Sequence, residues 1–456
     1  MKKIQYICTL LFGVMVLLFF GGVYPHHLHY QEQYQLFLFD STYVWEIVCR
    51  PGGVADLLGR FCTQFFLFAW VGAFIIAILF SAVQLLTLRL ARWGWLYGLS
   101  FVPSFLLWFF LLDENALLGG VWAVLLTLLF FWGFTVLPKG WTRRIVILVA
   151  LPILYMLVGP SWDGSHYHRY PTVVPVLLYA AWLSAVALPL IVSVCHKYIK
   201  ISSGYVMTIC FFALVTVCLG GIVWKNINFK AEKVMQYDFM ACHQQWNRIL
   251  ETVNAEKPNN QIGVTVQNLA LAMHGMLVDH LFDYNQNGIS GLLPDVQSDA
   301  TSPMPIAEAF YQLGMIRVAQ RTVFEAQEAI LDFQKSARCY KRLAQTNLIL
   351  GSYEVARKYL TALQKTLFYR EWANETLPLL GNEEAIAKHP EYGRLRLMAY
   401  KDDFYFSDHT TPEMLESLYF GNTDNRLAYD YLRAYYILTG DRDSYAKLLL
   451  KTSAEQ

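Results

Sequence analysis

The sequence predicts an all-α protein, a helical membrane bundle of about seven spans followed by a soluble helical domain. Three observations predict it. Apolar runs of membrane-crossing length crowd the first 225 residues and stop at Trp224. Charge divides at the same place: 13 Lys/Arg and 7 Asp/Glu precede or include Lys225, whereas 23 and 28 follow it, a net charge of −5. Beyond Lys225 apolar residues recur at helical spacing, punctuated by Gly and Pro. The expected domains are therefore 1–225 and 226–456.

The spans are expected at about 7–23, 62–88, 94–112, 116–137, 145–159, 172–195 and 205–224. The first follows Lys2 and Lys3 and has the charge layout of a signal peptide. It reads as a retained anchor, because no A-x-A cleavage site follows it. The fifth is the shortest and carries Pro152. Pro103, Pro175 and Pro189 also lie in spans, where neighbouring helices can satisfy the freed backbone groups.

Basic residues set the expected orientation. Lys2/Lys3, Arg89/Arg92, Lys139/Arg143/Arg144 and Lys197/Lys200 fall on one side, which the positive-inside rule makes cytoplasmic. Seven spans with the N-terminus inside then put 226–456 outside. The expected location is a bacterial inner membrane with a periplasmic C-terminal domain. Trp93, Trp95, Trp141, Trp162 and Trp224 lie near the predicted interfaces.

The predicted external loops hold the chemically suggestive residues. The Tyr24–Phe61 loop contains an aromatic stretch, Tyr34–Phe39, suited to the interface. Cys49 and Cys62 share the oxidising side, and a bridge between them would close a loop of about 14 residues, worth roughly 3 kcal/mol. His26, His27 and His29 share a compartment with Asp163, His166 and His168, which are types that ligate zinc or copper, although neither spacing is diagnostic. The competing reading is ordinary interfacial histidines. Asp40, Glu46, Asp56 and Arg50 raise the possibility of a catalytic carboxylate in the first loop, with Asp163 a further candidate, against the plainer reading of solvated loop charges. Arg169, Asp113 and Glu114 face the same way.

The soluble half opens with a helical stripe at Val234, Phe239, Trp246, Ile249 and Leu250, closed by Lys257-Pro258-Asn259-Asn260. Gln261–Phe282 reads as a second helix, whole or broken near Gly275. The Gly- and Pro-containing run 285–305 is long enough to be a binding loop. Helices are expected again at 306–320 and 322–333. Glu308, Gln312, Arg317, Arg321 and Glu325 lie along them, either as a polar groove floor for a peptide or glycan or as surface pairs worth tenths of a kcal/mol. Asp402, Asp403, Asp408 and His409 stand in a polar, aromatic stretch between helices and match no calcium-loop order.

Tyr340, Leu343, Ala344, Gly351, Tyr353, Ala356, Leu360 and Leu363 alternate small and large residues in a way that resembles a tetratricopeptide repeat. Tyr429, Leu432, Gly440 and Leu449 echo it. The segments NLALAMHGMLVDHLF and AEAFYQLGMIRVAQRTVFEA, behind RPGG…QFF, resemble an uncharacterised family of bacterial polytopic membrane proteins with a tetratricopeptide-like extracytoplasmic region. That resemblance implies the architecture and no catalytic residue.

No basic stripe or tail points to nucleic acid. P-loop, GxGxxG and kinase signatures are missing from the sequence, and no cofactor is expected. No charged residue sits deep in a span, which disfavours an ion-coupled transporter. The leading expectation is a membrane-anchored periplasmic scaffold binding a protein or envelope-polymer partner, with membrane lipid around its spans. The alternative is an envelope enzyme, such as a lipid-linked glycosyl-type transferase.

Overall fold

In a computed structural model, the described residues are 2–33, 35–137, 141–159, 174–198, 204–295, 302–330, 334–400 and 410–454. Their secondary structure is helical apart from one bridge between Asn287 and Ile289. The chain forms two compact units, Met1–Glu232 and Lys233–Gln456. The division falls inside helix Phe229–Cys242 rather than at the last span, because Glu232, in its first turn, bonds residues of the first unit.

Five helices of the first unit are long and apolar enough to cross a membrane: Lys3–Val23, Ala69–Arg89, Leu118–Val136, Val176–Cys195 and Tyr205–Lys225. The third and fifth expected spans are helical but shorter. In the third, a 3-10 segment Gly94–Phe101 leads into helix Val102–Phe110. Pro103 stands in that helix's first turn, where its missing N–H costs no bond, so it starts the helix instead of kinking it. In the fifth, Trp141–Val158 is one helix containing Pro152, apolar from Ile145 onward after Arg143 and Arg144.

The expected second span begins too early. Cys62 belongs to a separate helix, Gly53–Thr63, and the chain breaks at an extended Phe68 before the span starts at Ala69. Helix Gly53–Thr63 packs against the start of Leu118–Val136 at van der Waals range. A Cβ on Gly59 would lie 2.4 Å from the Gly119 backbone nitrogen. Glycine there lets two backbones meet, as small residues do between membrane helices. Cys49 is exposed at the end of helix Ser41–Val48, Cys62 is buried, and both are free, so the expected bridge is not formed.

One set of buried polar groups inside the apolar helices of the first unit is neutral and mutually bonded. Thr9 Oγ1 donates to Gln84 Oε1 at 2.8 Å, Gln84 Nε2 donates to Ser100 Oγ at 2.9 Å, and the Tyr97 hydroxyl donates to the Gln5 carbonyl at 2.7 Å. Hydrogen bonding of this kind joins helices where the hydrophobic effect supplies no force between them. Residues 36–43 are held differently. Leu36 and Phe37 are buried, and Phe37 meets Phe39, Tyr43 and Phe61 edge to face.

The second unit stacks helices in consecutive pairs: Pro303–Leu313 with Ile316–Ala329, Ala337–Ile349 with Tyr353–Leu363, and Thr411–Gly421 with Arg426–Thr439. Ala344 and Ala356 are fully buried, as are Leu343, Leu348 and Leu360. The turn between the first pair is made by Gly314 at φ +91°, a left-handed conformation that glycine tolerates best. It lies seven residues before the expected break at 321, within the stretch read as one helix.

Candidate functional site

Two polar clusters stand out, one in each unit. In the first unit, helix Pro25–Glu32 starts with two orphan backbone N–H groups, and Glu232 takes both. His26 N–H donates to Oε1 at 2.8 Å and His27 N–H to Oε2 at 2.9 Å. A carboxylate at a helix N-terminus also meets the positive end of the helix dipole. Burial nevertheless pushes the Glu232 carboxyl up to about 7, against those two bonds. His27 is buried, its ring stacks on Tyr24, and its Nε2 sits 2.8 Å from the Leu111 carbonyl. Nε2 is therefore the protonated nitrogen of a neutral ring, and burial drives its pKa down to about 3.

Beside this capped helix lies a small crevice of about 10 Å³, room for roughly one water, lined by Gln31, Gln35, Thr63, Glu114, Ala116, Leu117 and Leu118. Gln31 Nε2 donates to the Ala116 carbonyl at 3.1 Å, which ties the helix to the loop before Leu118–Val136. Burial raises the carboxyl pKa of both Asp113 and Glu114, and the Asp113 charge adds to the effect on Glu114.

In the second unit, Arg338, Lys341, Arg342 and Gln345 share one face of helix Ala337–Ile349, at i, i+3, i+4 and i+7. Arg338 makes a bidentate pair with Asp238, at 2.5 and 2.8 Å. Burial opposes the charge on this guanidinium, and Asp238 overcomes that, holding its pKa well above the usual range. Arg342 pairs with Glu308 and lies 3.8 Å above the Tyr311 ring. Glu308 also accepts from Gln312 at 2.9 Å, Gln312 accepts from Arg394 at 3.0 Å, and the Tyr311 hydroxyl donates to Glu391 at 2.8 Å. Lys341 has no carboxylate within ion-pair distance among the described residues. Its Nζ lies 5.1 Å over Trp372, and burial lowers its pKa.

The structure places the sequence candidates unevenly. Glu308 and Gln312 point into the interior, while Arg317 and Arg321 are exposed on the next helix and Glu325 is half-buried and paired with Arg321 at 2.9 Å. The five do not form one groove floor, because the turn at Gly314 separates them. Asp40 caps helix Ser41–Val48, accepting from the Thr42 and Tyr43 N–H groups at 3.0 and 3.2 Å. Asp56 pairs with Arg60 at 2.8 Å, and Glu46 and Arg50 are exposed. The rings of His26 and His29 are 5.8 Å apart, but His27 turns away from them into the interior. No group of three or more metal-ligating side chains occurs among the described residues. Asp163, His166, His168, Arg169, Asp402, Asp403, Asp408 and His409 lie outside those residues.

The described part of the 285–305 run is tied down by amides, with Asn268 Nδ2 donating to Gln286 Oε1 and to the Gly291 carbonyl, each at 2.9 Å. Sequence reading missed Glu232, Gln35, Asp238 and Arg342. For Arg342 a signal existed: three cations on the same face of a helix whose other residues are core.

The chain belongs to a family of unknown function (DUF6057), whose model matches residues 2–162 and 160–455. No curated protein and no solved structure matches it.

Proposed function

We propose that the protein is a membrane-anchored scaffold. Its second unit, a tetratricopeptide-like solenoid, holds a protein or an envelope polymer beside the bilayer. In this reading all seven apolar helices cross a bacterial inner membrane, the N-terminus is cytoplasmic and Lys233–Gln456 is periplasmic. The observation that carries it is the run of helical pairs, with Ala344 and Ala356 of one pair fully buried. Stacked pairs of this kind build a continuous surface suited to binding an extended partner.

The use made of the loop carboxylates supports the same reading over an enzyme. Asp40 is occupied as a helix cap and Asp56 in an ion pair. Both are jobs that hold the fold.

The test is photo-crosslinking in cells of the full-length protein, with the probe residue placed in turn at Arg321, Phe324 and Val355. All three are exposed in the second unit. The scaffold reading expects a discrete adduct from at least one of them, lost when the pair Glu308–Arg342 is disrupted. Uniform lack of adducts at all three, with the protein at normal abundance, counts against it.

A further inference from the structure

The helices of membrane-crossing length do not account for all the exposed aromatic surface of the first unit. Helix Ser41–Val48 lies in the chain between the first two of them. It buries Ile47 and turns Tyr43 inward, where the Tyr43 hydroxyl donates to the Leu36 carbonyl at 2.7 Å. At 3.6 residues per turn the opposite face is centred on Trp45. Trp45 is 70% exposed, more than any other aromatic side chain among the described residues of this unit. Val44 and Val48 flank it on one side, and exposed Thr42 and Glu46 on the other. One edge of the helix is therefore apolar and the other polar, with a tryptophan between them.

The exposed aromatic surface continues from this segment into a helix of membrane-crossing length. Phe39, which directly precedes the Asp40 cap, meets Phe61 edge to face with centroids 6.4 Å apart, and Phe61 meets Phe65 at 5.6 Å. Phe39, Phe61 and Phe68 are exposed, and the surface runs on into Trp70, Phe74 and Ile78 of helix Ala69–Arg89. An exposed i, i+4, i+8 stripe on an apolar helix of that length is the surface that acyl chains cover. The sequence points to 34–39 as the interfacial stretch, but Leu36 and Phe37 are buried, and the outward surface passes to Phe39 and Trp45 instead.

Charge indicates which layer of the bilayer fits. Between residues 35 and 70 the Lys/Arg side chains are Arg50 and Arg60, and Arg60 is held by Asp56 at 2.8 Å. A segment with so little free positive charge is not built to grip lipid phosphates. Its aromatics and valines suit the boundary between head groups and acyl chains, where tryptophan is enriched.

We propose that helix Ser41–Val48 is an interfacial anchor that lies along the bilayer surface. Trp45 and Phe39 sit at the boundary between head groups and acyl chains, and the Glu46 edge faces water. The partner is phospholipid, recognised through its apolar boundary and not through its charge. The inference rests on the reading that the apolar helices cross a membrane.

The test places a fluorescent amino acid in turn at Trp45, Phe74 and Phe324 of the full chain in phosphatidylcholine nanodiscs. All three side chains are exposed, so the fold tolerates the replacement. Quenching is read with lipids brominated near the head group, with lipids brominated near the chain end, and with aqueous iodide. Phe74 reports whether helix Ala69–Arg89 is in the bilayer, and Phe324 of the second unit is the aqueous reference. At Trp45, bromine near the head group should quench roughly twofold or more over bromine near the chain end, and iodide should quench far less than at Phe324. Iodide quenching at Trp45 equal to that at Phe324, with Phe74 quenched by bromine, puts the helix in water and overturns the proposal while the membrane reading stands. Protection of Trp45 from both quenchers also overturns it, because a protein surface then covers the ring. Lack of bromine quenching at Phe74 overturns the membrane reading, and the anchor with it.

Discussion

The two units bury polar groups differently. Inside the first, the buried hydrogen-bonding groups of the apolar helices are neutral: Thr9, Gln84, Tyr97 and Ser100 form one connected set. The second also buries neutral groups such as Asn268 and Gln312, but inside its helices it adds ionised pairs: Asp238 with Arg338, and Glu308 with Arg342. The contrast follows from the surroundings. A charge in hydrocarbon has no water to relax toward, whereas a buried charge elsewhere is tolerated if each partner is paired and hydrogen-bonded. Where the first unit does bury charge, at Glu32, Glu232, Asp113, Glu114 and the Asp56–Arg60 pair, it does so outside the helices long and apolar enough to cross a membrane. In the first unit the groups able to respond to pH, Glu232, Asp113 and Glu114, thus lie outside the apolar helices, while the ion pairs of the second are committed to its fold.

Breaking an ion pair should sharpen the contrast most. Glu308→Ala leaves Arg342 buried without its carboxylate and is expected to cost about 3–5 kcal/mol in thermal or denaturant unfolding. The double variant Glu308→Leu/Arg342→Met should return close to wild type, since an apolar pair of similar volume can replace a buried ion pair. The matching experiment in the first unit is Gln84→Leu, with an expected loss of about 1 kcal/mol. If the two losses are equal, the contrast fails. The smallest effect belongs to the surface: Arg321→Ala, which removes a pair whose arginine is mostly exposed, should change stability by a few tenths of a kcal/mol.

The rim of the first unit should carry a pH signature with two opposing parts. Glu232 has a folded pKa raised to about 7 from 4.5, so its contribution is fully present below about 4.5 and is lost as pH rises through about 7. His27 has a folded pKa depressed to about 3 from 6.5, so its contribution is present above about 6.5 and is lost as pH falls toward 3. Between about 4.5 and 6.5 the two slopes offset each other. Glu232→Gln removes one slope, and stability should then fall steadily as pH drops below about 6.5. Thermal unfolding across this range checks it, and a variant profile that parallels wild type contradicts the assignment.

Much of this fold was legible in the sequence because apolar runs and small-residue spacing are local signals. The helix at each expected span and the pair Ala337–Ile349 with Tyr353–Leu363 follow from residues within a few turns of one another. The parts that were not legible depend on partners distant in the chain. Glu232 reads as a solvated acid until it is seen 206 residues away from His26, and Arg338 reads as a surface cation until Asp238 is placed against it. Asp40 could have been recognised as a cap, since it stands directly before Ser41-Thr42-Tyr43, but its loop setting also suited catalysis. The Glu308–Glu325 run was read as one face because Gly314 was not given its turn.

The measurement that tests the scaffold reading most directly is complementation of a deletion strain by Asp40→Ala, Glu46→Ala and Asp163→Ala, each checked for normal membrane abundance. The account predicts full function from all three, since a scaffold needs these carboxylates at most for local stability. Loss of function at normal abundance would contradict it, and loss from exposed Glu46 would assign chemistry to the segment between the first two apolar helices.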